Sequence, residues 1–479
     1  MEHKLPNKHR EGIPMNCSNI HLTIAWDTIN NFLITKQQKP AVDQASNLIL
    51  QEHHFKTMLD NEEIWYYEKG CYYPTGETII KKIIQEQDAI SENLSSHFIN
   101  EVIESVKRKT YIKREDFEAP IHLICVGNGI YDLKEKKLIE HNPKFYFKSK
   151  INIDYKTEAT CPNIKKFIED IVEQKHFRTL FEIPAYLLYR DYFYQKAIML
   201  NGTNDNGKSK YIGLLEYFIG QKNFSSEELQ QICHNIFSKA ELFGKLMNSS
   251  ADLPATIMEN TGDFKKLTSG TDTISAQRKF GQPFQFKNYA KLIFSANEVP
   301  ESKDTTDAFF KRWIIIDFPY RFVLGLKEPK DNLKLADPNI LEKITTKEEM
   351  EGLLYVCLGL LPDLLERGCF YNNPPVEEIK QRYLLKSNSA IVFIENELVD
   401  SIPEDVKDSD YEPFIEKEFL WKEYLAFCKA KRTVPRTLTG FYLEVKNRWS
   451  VPTERRLVSL GVRKYCFVGV RYLGSWRNG

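Results

Sequence analysis

Residues 202 to 209 read GTNDNGKS, a GxxxxGK[ST] pattern that follows the apolar run AIML (Ala197 to Leu200). Behind it stands YIGLLEYFIG, in which Ile212, Leu215 and Ile219 recur at helical spacing. A loop of this composition between a strand and a helix cradles phosphates. Backbone N–H groups of Gly202, Thr203, Asn204, Asp205, Asn206 and Gly207 converge on the oxygens, Lys208 reaches the β and γ groups, and the Ser209 hydroxyl ligates Mg²⁺. The competing reading is a turn rich in Asn and Gly. The strand before it and the helix after it favour the nucleotide loop, with ATP and Mg²⁺ as the expected ligands.

Such a loop needs a carboxylate at the end of a neighbouring strand, to hold magnesium or polarise the attacking water. Asp252 in GKLMNSSADLP is the candidate, but Asn248, Ser249 and Ser250 make a poor apolar strand, and an Asp opening a turn before Pro254 fits the same residues. Glu259 is a second, weaker acid. Asn297 follows the apolar Leu292–Phe294, at the carboxyl end of a strand where parallel sheets build their sites, and its amide can orient a water; it is also a turn former before Pro300. Arg312 directly precedes the strand-like Trp313–Phe318. There a guanidinium serves a neighbouring subunit's phosphate or makes a surface ion pair. Between these landmarks FKKLTSGTDTISAQRKFGQPFQFKNYAK reads as a hairpin with Arg278, Lys279 and Phe280 at its tip, suited to tracking and stacking on single-stranded nucleic acid, or simply solvated.

The elements that must position these residues fall into three expected units. Residues 1–190 mix helical stretches such as SSHFINEVIESVKRK with aromatic strand-like pieces such as EIWYYEKGCYYPTGE, where Gly70 turns a hairpin. Residues 191–375 alternate apolar strands and helices in the α/β manner of a parallel-sheet nucleotide domain, closing with EEMEGLLYVCLGLLPDLLERG and the linker NNPP. Residues 376–479 divide sharply by charge: 11 acids against 3 bases over 395–423, then 12 bases against 2 acids over 429–479. Lys446, Arg448, Arg455, Arg456, Arg463 and Lys464 are expected to meet DNA phosphates, the alternative being that the acidic stretch lies against them. Over the whole chain of 479 residues, 66 basic and 66 acidic side chains cancel. The nine cysteines form no CxxC pair, which argues against a disulfide framework and against a zinc site. The polar start MEHKLPNKHREGIP and the lack of a long apolar run lead to the expectation of a cytoplasmic protein that does not span a membrane.

Taken in order, GTNDNGKS, NSSADLP, FKKLTSGTDTISAQRKF, LIFSANEVP and FFKRWIIIDFP resemble the superfamily 3 DNA helicases of the phage and plasmid primase-helicase type, with 44 residues from Lys208 to Asp252, 45 on to Asn297 and 15 on to Arg312. The resemblance extends upstream through VGNGIYDLKEKKLIEHNPKFYF and DYKTEATCPNIKKFIEDI, and downstream through SNSAIVFIENELV and FLWKEYLAFCKAKRTVPRTLTGFYLEVKNRW. It implies an AAA+-like P-loop core, an α+β domain before it and a winged-helix segment after it. It also implies roles: Lys208 and Ser209 for nucleotide and magnesium, Asp252 for the Walker B acid, Asn297 for the sensor, Arg312 for a finger supplied to the adjacent subunit, and Lys279 with its neighbours for the DNA-gripping hairpin. The implied activity is ATP-dependent unwinding at a replication origin or fork of a plasmid, virus or integrated element, by a homo-hexameric ring on single-stranded and forked DNA. Larger relatives carry a primase domain for which this length leaves no room, so primer synthesis is not expected of this chain, and a separate primase is one candidate partner. Two departures stand out: a single acid at Asp252, and Thr271 separating Gly270 from Asp272. An origin-binding or packaging-type ATPase, and a DNA-binding protein merely regulated by nucleotide, are the alternatives.

Overall fold

The computed structural model describes residues 17–479 apart from 252, 255–257, 260, 327, 329, 331, 401–413, 432, 450–452, 460–461 and 478–479. The chain divides into two compact units. One comprises residues up to Lys150 together with Arg278–Phe284; the other comprises Ile151–Gln277 and Gln285–Gly479. The division between the two units falls at Lys150–Ile151, where the sequence leads to the expectation of one near 190.

In the first unit, helices Cys17–Ile34, Gln38–Glu52, Gly76–Gln85 and Ser96–Thr110 accompany a four-stranded sheet in the order 71–73, 64–68, 55–58, 111–112. Gly70 turns the 64–68 and 71–73 strands at φ +102°, and Ser95 caps the last helix by accepting from Phe98 N at 3.1 Å. Trp26, Ile29, Phe55, Ile80, Phe98 and Val102 are among the side chains of its core.

The second unit is built on five parallel strands: β1 (Ala197–Asn201), β2 (Phe224–Ser225), β3 (Met247–Ser250), β4 (Lys291–Ala296) and β5 (Trp313–Asp317), in the order β5-β1-β4-β3-β2. β1, β4 and β5 carry runs of Ile, Leu, Met and Phe because both faces of such a sheet are covered. β3 breaks that pattern. Its MNSS is wholly buried, and its polar groups are satisfied across the sheet: Asn248 Oδ1 accepts from Ser225 Oγ and Glu227 N at 2.9 Å each, Asn248 Nδ2 donates to Glu227 O at 2.9 Å, and Ser249 Oγ donates to Glu216 Oε1 at 2.7 Å. The segment that reads as a poor apolar strand is thus an interior one.

Helix α1 (Lys208–Ile219) leaves the loop after β1, and α2 (Lys347–Arg367) ends at Gly368 in the left-handed region, φ +70°. The segment after α3 (Val376–Ser387) runs helix 389–397, strands 398–400 and 414–416, helices 417–430 and 438–449, and strands 453–459, 462–468 and 470–472; strand 462–468 pairs with 414–416 and 453–459, and strand 398–400 pairs with 470–472. Phe393, Tyr424, Phe427, Phe441 and Phe467 fill its core, Tyr424 and Phe441 stacking at 4.3 Å. Among the described residues no helix is long and apolar enough to cross a membrane.

Residues 151–190 belong to the sheet unit because α2 holds them. The buried Glu349 carboxylate accepts from Asn163 N at 3.0 Å, Asn163 Nδ2 at 2.9 Å and Ile164 N at 3.0 Å, capping helix Pro162–Ile171 from outside. Glu349→Ala strands those donors. It should lower the stability of this unit by about 3 kcal/mol in urea denaturation, and a change below about 0.5 kcal/mol would show that the cap contributes nothing.

Candidate functional site

The register of the sheet decides where the site lies. Asn201 pairs with Ala296 on one side and Asp317 on the other, so the carboxyl ends of β1, β4 and β5 finish in one row. Strand order reverses at β1, the switch point at which open parallel sheets bind ligands. The loop 202–207 leaves from the middle of that row. Gly207 is at φ +92°, and a Cβ there would meet Ile171 Cγ2 at 2.7 Å; a Cβ on Gly202 would meet Phe318 O at 2.8 Å. Gly202 is dictated by the approach of a backbone carbonyl, and Gly207 by its left-handed backbone beside the Ile171 side chain.

Thr203, Asn204, Asp205 and Ser209 are exposed, whereas Asn206 and Lys208 are buried. The Lys208 ammonium donates to Gly202 O at 2.5 Å, Thr203 O at 2.8 Å, Asn206 Oδ1 at 3.1 Å and Asn297 Oδ1 at 3.3 Å. Asn206 Nδ2 in turn donates to Phe318 O at 3.4 Å. The loop lysine and the asparagine at the end of β4, 89 residues apart, thus share one place. A buried ammonium held by neutral carbonyls beside a helix N-terminus suits a phosphate.

The loop separates two cavities, each of about 770 Å³, within the usual range for ligand sites. One is lined by Asp205, Gly207 and Lys210 together with Phe167, Phe322 and Leu335. The other is lined by Gly202, Thr203, Asn297, Asp317, Lys386 and Arg436. The last three residues were not singled out from sequence. Asp317 Oδ1 accepts from Asn201 Nδ2 at 2.9 Å and pairs with Lys386 Nζ at 2.9 Å, while Oδ2 accepts from Arg382 Nη2 at 2.7 Å. Arg436 pairs with Glu301.

Other expected residues are placed differently. Asp252 lies outside the described residues. Glu259 is exposed and pairs with Lys303 at 2.7 Å. Arg312 is not the surface ion pair that is one reading of it, because its side chain is buried within the chain. The residue is 8% exposed, with Nε donating to Thr268 Oγ1 at 3.0 Å and Nη1 to Ala308 O. Desolvation lowers its pKa, Asp272 and Asp304 opposing.

The three residues expected at the hairpin tip lie between strands 273–277 and 283–287. Residues 278–284 cluster with the first unit, where Arg278 Nε pairs with Glu63 Oε1 at 3.1 Å. Phe280 is 96% exposed at φ +65°, with the Lys279 ammonium 5.3 Å from its ring centre. In the C-terminal segment Lys446 is exposed, and Arg448, also exposed, pairs with Glu395 at 2.9 Å. Arg455 and Arg456 lie on strand 453–459, opposite Tyr465 and Lys464, their side chains being outside the description. Lys464 pairs with Glu416 and Arg477 with Glu423. The acidic and basic stretches therefore do meet, at three ion pairs among the described residues.

Comparison with known proteins gives two matches to family models: residues 47–173 to one described as D5 N terminal like, and residues 200–312 to a family of unknown function (DUF5906). The second span holds the loop, Asn297 and Arg312. The chain is 25% identical over 242 residues to "Putative helicase L207/L206" of Acanthamoeba polyphaga mimivirus, covering 47% of this chain and 25% of that protein. It is 24% identical over 256 residues to "Putative helicase 184R" of Invertebrate iridescent virus 6, covering 49% and 26%. The chain thus spans about a quarter of the length of these relatives. Among solved structures, the A form apo structure of the NrS-1 C terminal region covers 89% of this chain and 98% of its own, at 13% identity and a TM-score of 0.45. By sequence, then, the chain is similar to helicase-type proteins of viruses.

The ion cluster at the carboxyl end of β5 has a pH signature. Burial pushes the Asp317 carboxyl up, but the Lys386 ammonium and Arg382 guanidinium outweigh it and bring its pKa down to about 2 from 3.8. A depressed folded-state pKa contributes stability above the unfolded value, and that contribution is lost as pH falls through the folded one. The stability difference between wild type and Asp317→Asn should therefore be constant above about pH 5 and shrink between about pH 4 and pH 2. A difference independent of pH across that window would contradict the pairing.

Proposed function

We propose that this chain is an ATP-dependent DNA helicase of superfamily 3 type, acting in replication of a virus, plasmid or integrated element. The observation that carries the reading is the meeting of Lys208 and Asn297 at 3.3 Å over the glycine loop, at the point where the strand order reverses. A P-loop lysine and an asparagine at the end of the adjacent strand form a pair able to hold a terminal phosphate and the water that attacks it. The similarity of residues 47–173 and 200–312 to the families above, and of half the chain to helicase-named virus proteins, supports it.

In this reading the nucleotide lies across the loop from one cavity to the other. Backbone N–H groups at the start of α1 suit the α-phosphate, so the nucleoside occupies the side of Lys210, Phe322 and Leu335. The terminal phosphate then points towards Gly202, Thr203 and Asn297. Lys208 exchanges its carbonyl partners for phosphate oxygens, and Asn297 orients water. Ser209 and Asp252 would hold Mg²⁺, which supplies charge neutralisation between the β and γ groups when bound.

Arg312, held by Thr268 and Ala308, serves in the proposal as a packing residue beside β5; trans action would require both hydrogen bonds to break. The exposed Lys279 and Phe280 are proposed as the strand-gripping pair at the hairpin tip, aromatic stacking and a cation being what single strands need. After α3, three helices and the strand hairpin 453–468, accompanied by the short strand pair 398–400 and 470–472, support a winged-helix module, with Lys446 on its third helix facing DNA phosphate. Assembly as a homo-hexameric ring and a separate primase complete the proposal.

The experiment compares wild type with Lys208→Ala for ATP turnover and for displacement of a strand from forked DNA. Wild type should do both, and the variant should fall to background because the transferring phosphate loses its principal cation. Near-normal hydrolysis by Lys208→Ala would sink the site. Turnover without displacement by wild type would favour an origin-binding or packaging-type ATPase.

A further inference from the structure

We infer that Lys386, on helix α3, reads the terminal phosphate of the bound nucleotide from within the same chain, and that Asp317 holds it beside the loop until the phosphate arrives. The inference rests on the nucleotide reading given above.

A terminal phosphate at Gly202 and Thr203 needs more positive charge than Lys208 alone, since charge on the equatorial oxygens grows or spreads during transfer. Arg312, the cation expected from sequence, is buried and engaged elsewhere. Lys386 lines the cavity that contains Gly202, Thr203 and Asn297, and its side chain reaches there from a helix anchored on the other side. Tyr383, three residues earlier, is fully buried against Trp313 and Phe309 and donates to Pro300 O at 2.7 Å. Arg382 and Lys386, one turn apart, therefore face the end of β5 together.

The sharing at Asp317 makes Lys386 the mobile partner. Its ammonium shares Oδ1 with Asn201 Nδ2, each at 2.9 Å, whereas Arg382 alone occupies Oδ2 at 2.7 Å. When Lys386 leaves, the carboxylate keeps Asn201 and Arg382, so no buried charge is stranded. A phosphate carrying close to two negative charges attracts the ammonium more strongly than a carboxylate already shared among three donors. Asn201 is also the residue before Gly202, so the same carboxylate touches the root of the loop. The helix bearing Lys386 ends at Ser387, and the next residue, Asn388, donates to Glu444 Oε1 at 3.0 Å on helix 438–449.

The test is equilibrium binding of ADP and of a non-hydrolysable ATP analogue, with Mg²⁺, to the full chain. Lys386→Met should weaken the analogue about 10-fold or more and leave ADP within about twofold, because only the analogue carries the group that Lys386 reads. Lys386→Arg should restore most of the discrimination, and Lys386→Gln is the second neutral variant if Met does not yield folded protein. Equal weakening of both ligands, or no change in either, overturns the inference, since a merely structural ion pair does not separate the two. Failure of wild type to bind either ligand, or unchanged binding by Lys208→Ala, overturns the nucleotide reading itself. Discrimination by wild type that persists in both neutral variants overturns only the role of Lys386.

Discussion

The alignment of Asn201, Ala296 and Asp317 in one row is the constraint on which the rest depends. It follows from five strands pairing in parallel with the order reversing at β1, and it lets one loop face two strand ends at once. Lys208 turns to β4 and meets Asn297; Asn201 turns to β5 and meets Asp317. A slip of one residue in either pairing would point these side chains to the opposite faces of the sheet. The glycines at 202 and 207 are consequences of the same closeness, because Phe318 O and Ile171 leave no space for a Cβ.

Packing around the sheet keeps the row fixed. Glu349 ties helix 162–171 to α2, and Ile171 at the end of that helix lies against Gly207. On the far side the buried amide of Asn248 binds β3 to the chain at 225–227 through three hydrogen bonds. Buried polar groups of this kind specify one arrangement, since any other leaves donors or acceptors without partners. The interior of the sheet is accordingly organised as much by amides and carboxylates as by its apolar runs.

Local signals in the chain were readable, and contacts distant in sequence were not. The glycine loop, the strand before it, α1 and the strand ending before Asn297 all stand in the sequence as short-range patterns, as do the Gly70 turn and the Gly368 helix end. MNSS reads as a poor strand because strand propensity assumes an apolar interior, while in the fold it is buried with Asn248 and Ser249 satisfied by residues 21 to 33 positions away. Arg312 carries the spacing of a finger, and nothing local in the sequence announces that Thr268, 44 residues earlier, accepts from its guanidinium. Asp317 looks like an ordinary strand end, and only the fold brings it to Arg382, 65 residues on. Likewise the charge division near the C-terminus is legible, and so is the alternative that its halves meet, but not which residues pair: Arg448 with Glu395, Lys464 with Glu416 and Arg477 with Glu423.

The central claim is that nucleotide lies across the 202–209 loop with its base in the cavity beside Phe322. Photocrosslinking with 8-azido-ATP, followed by mapping of the labelled peptides, locates the base without reference to activity. The account predicts adducts within residues 162–171 and 320–340 that unlabelled ATP suppresses. Adducts suppressed by ATP but lying wholly outside those two segments would contradict it.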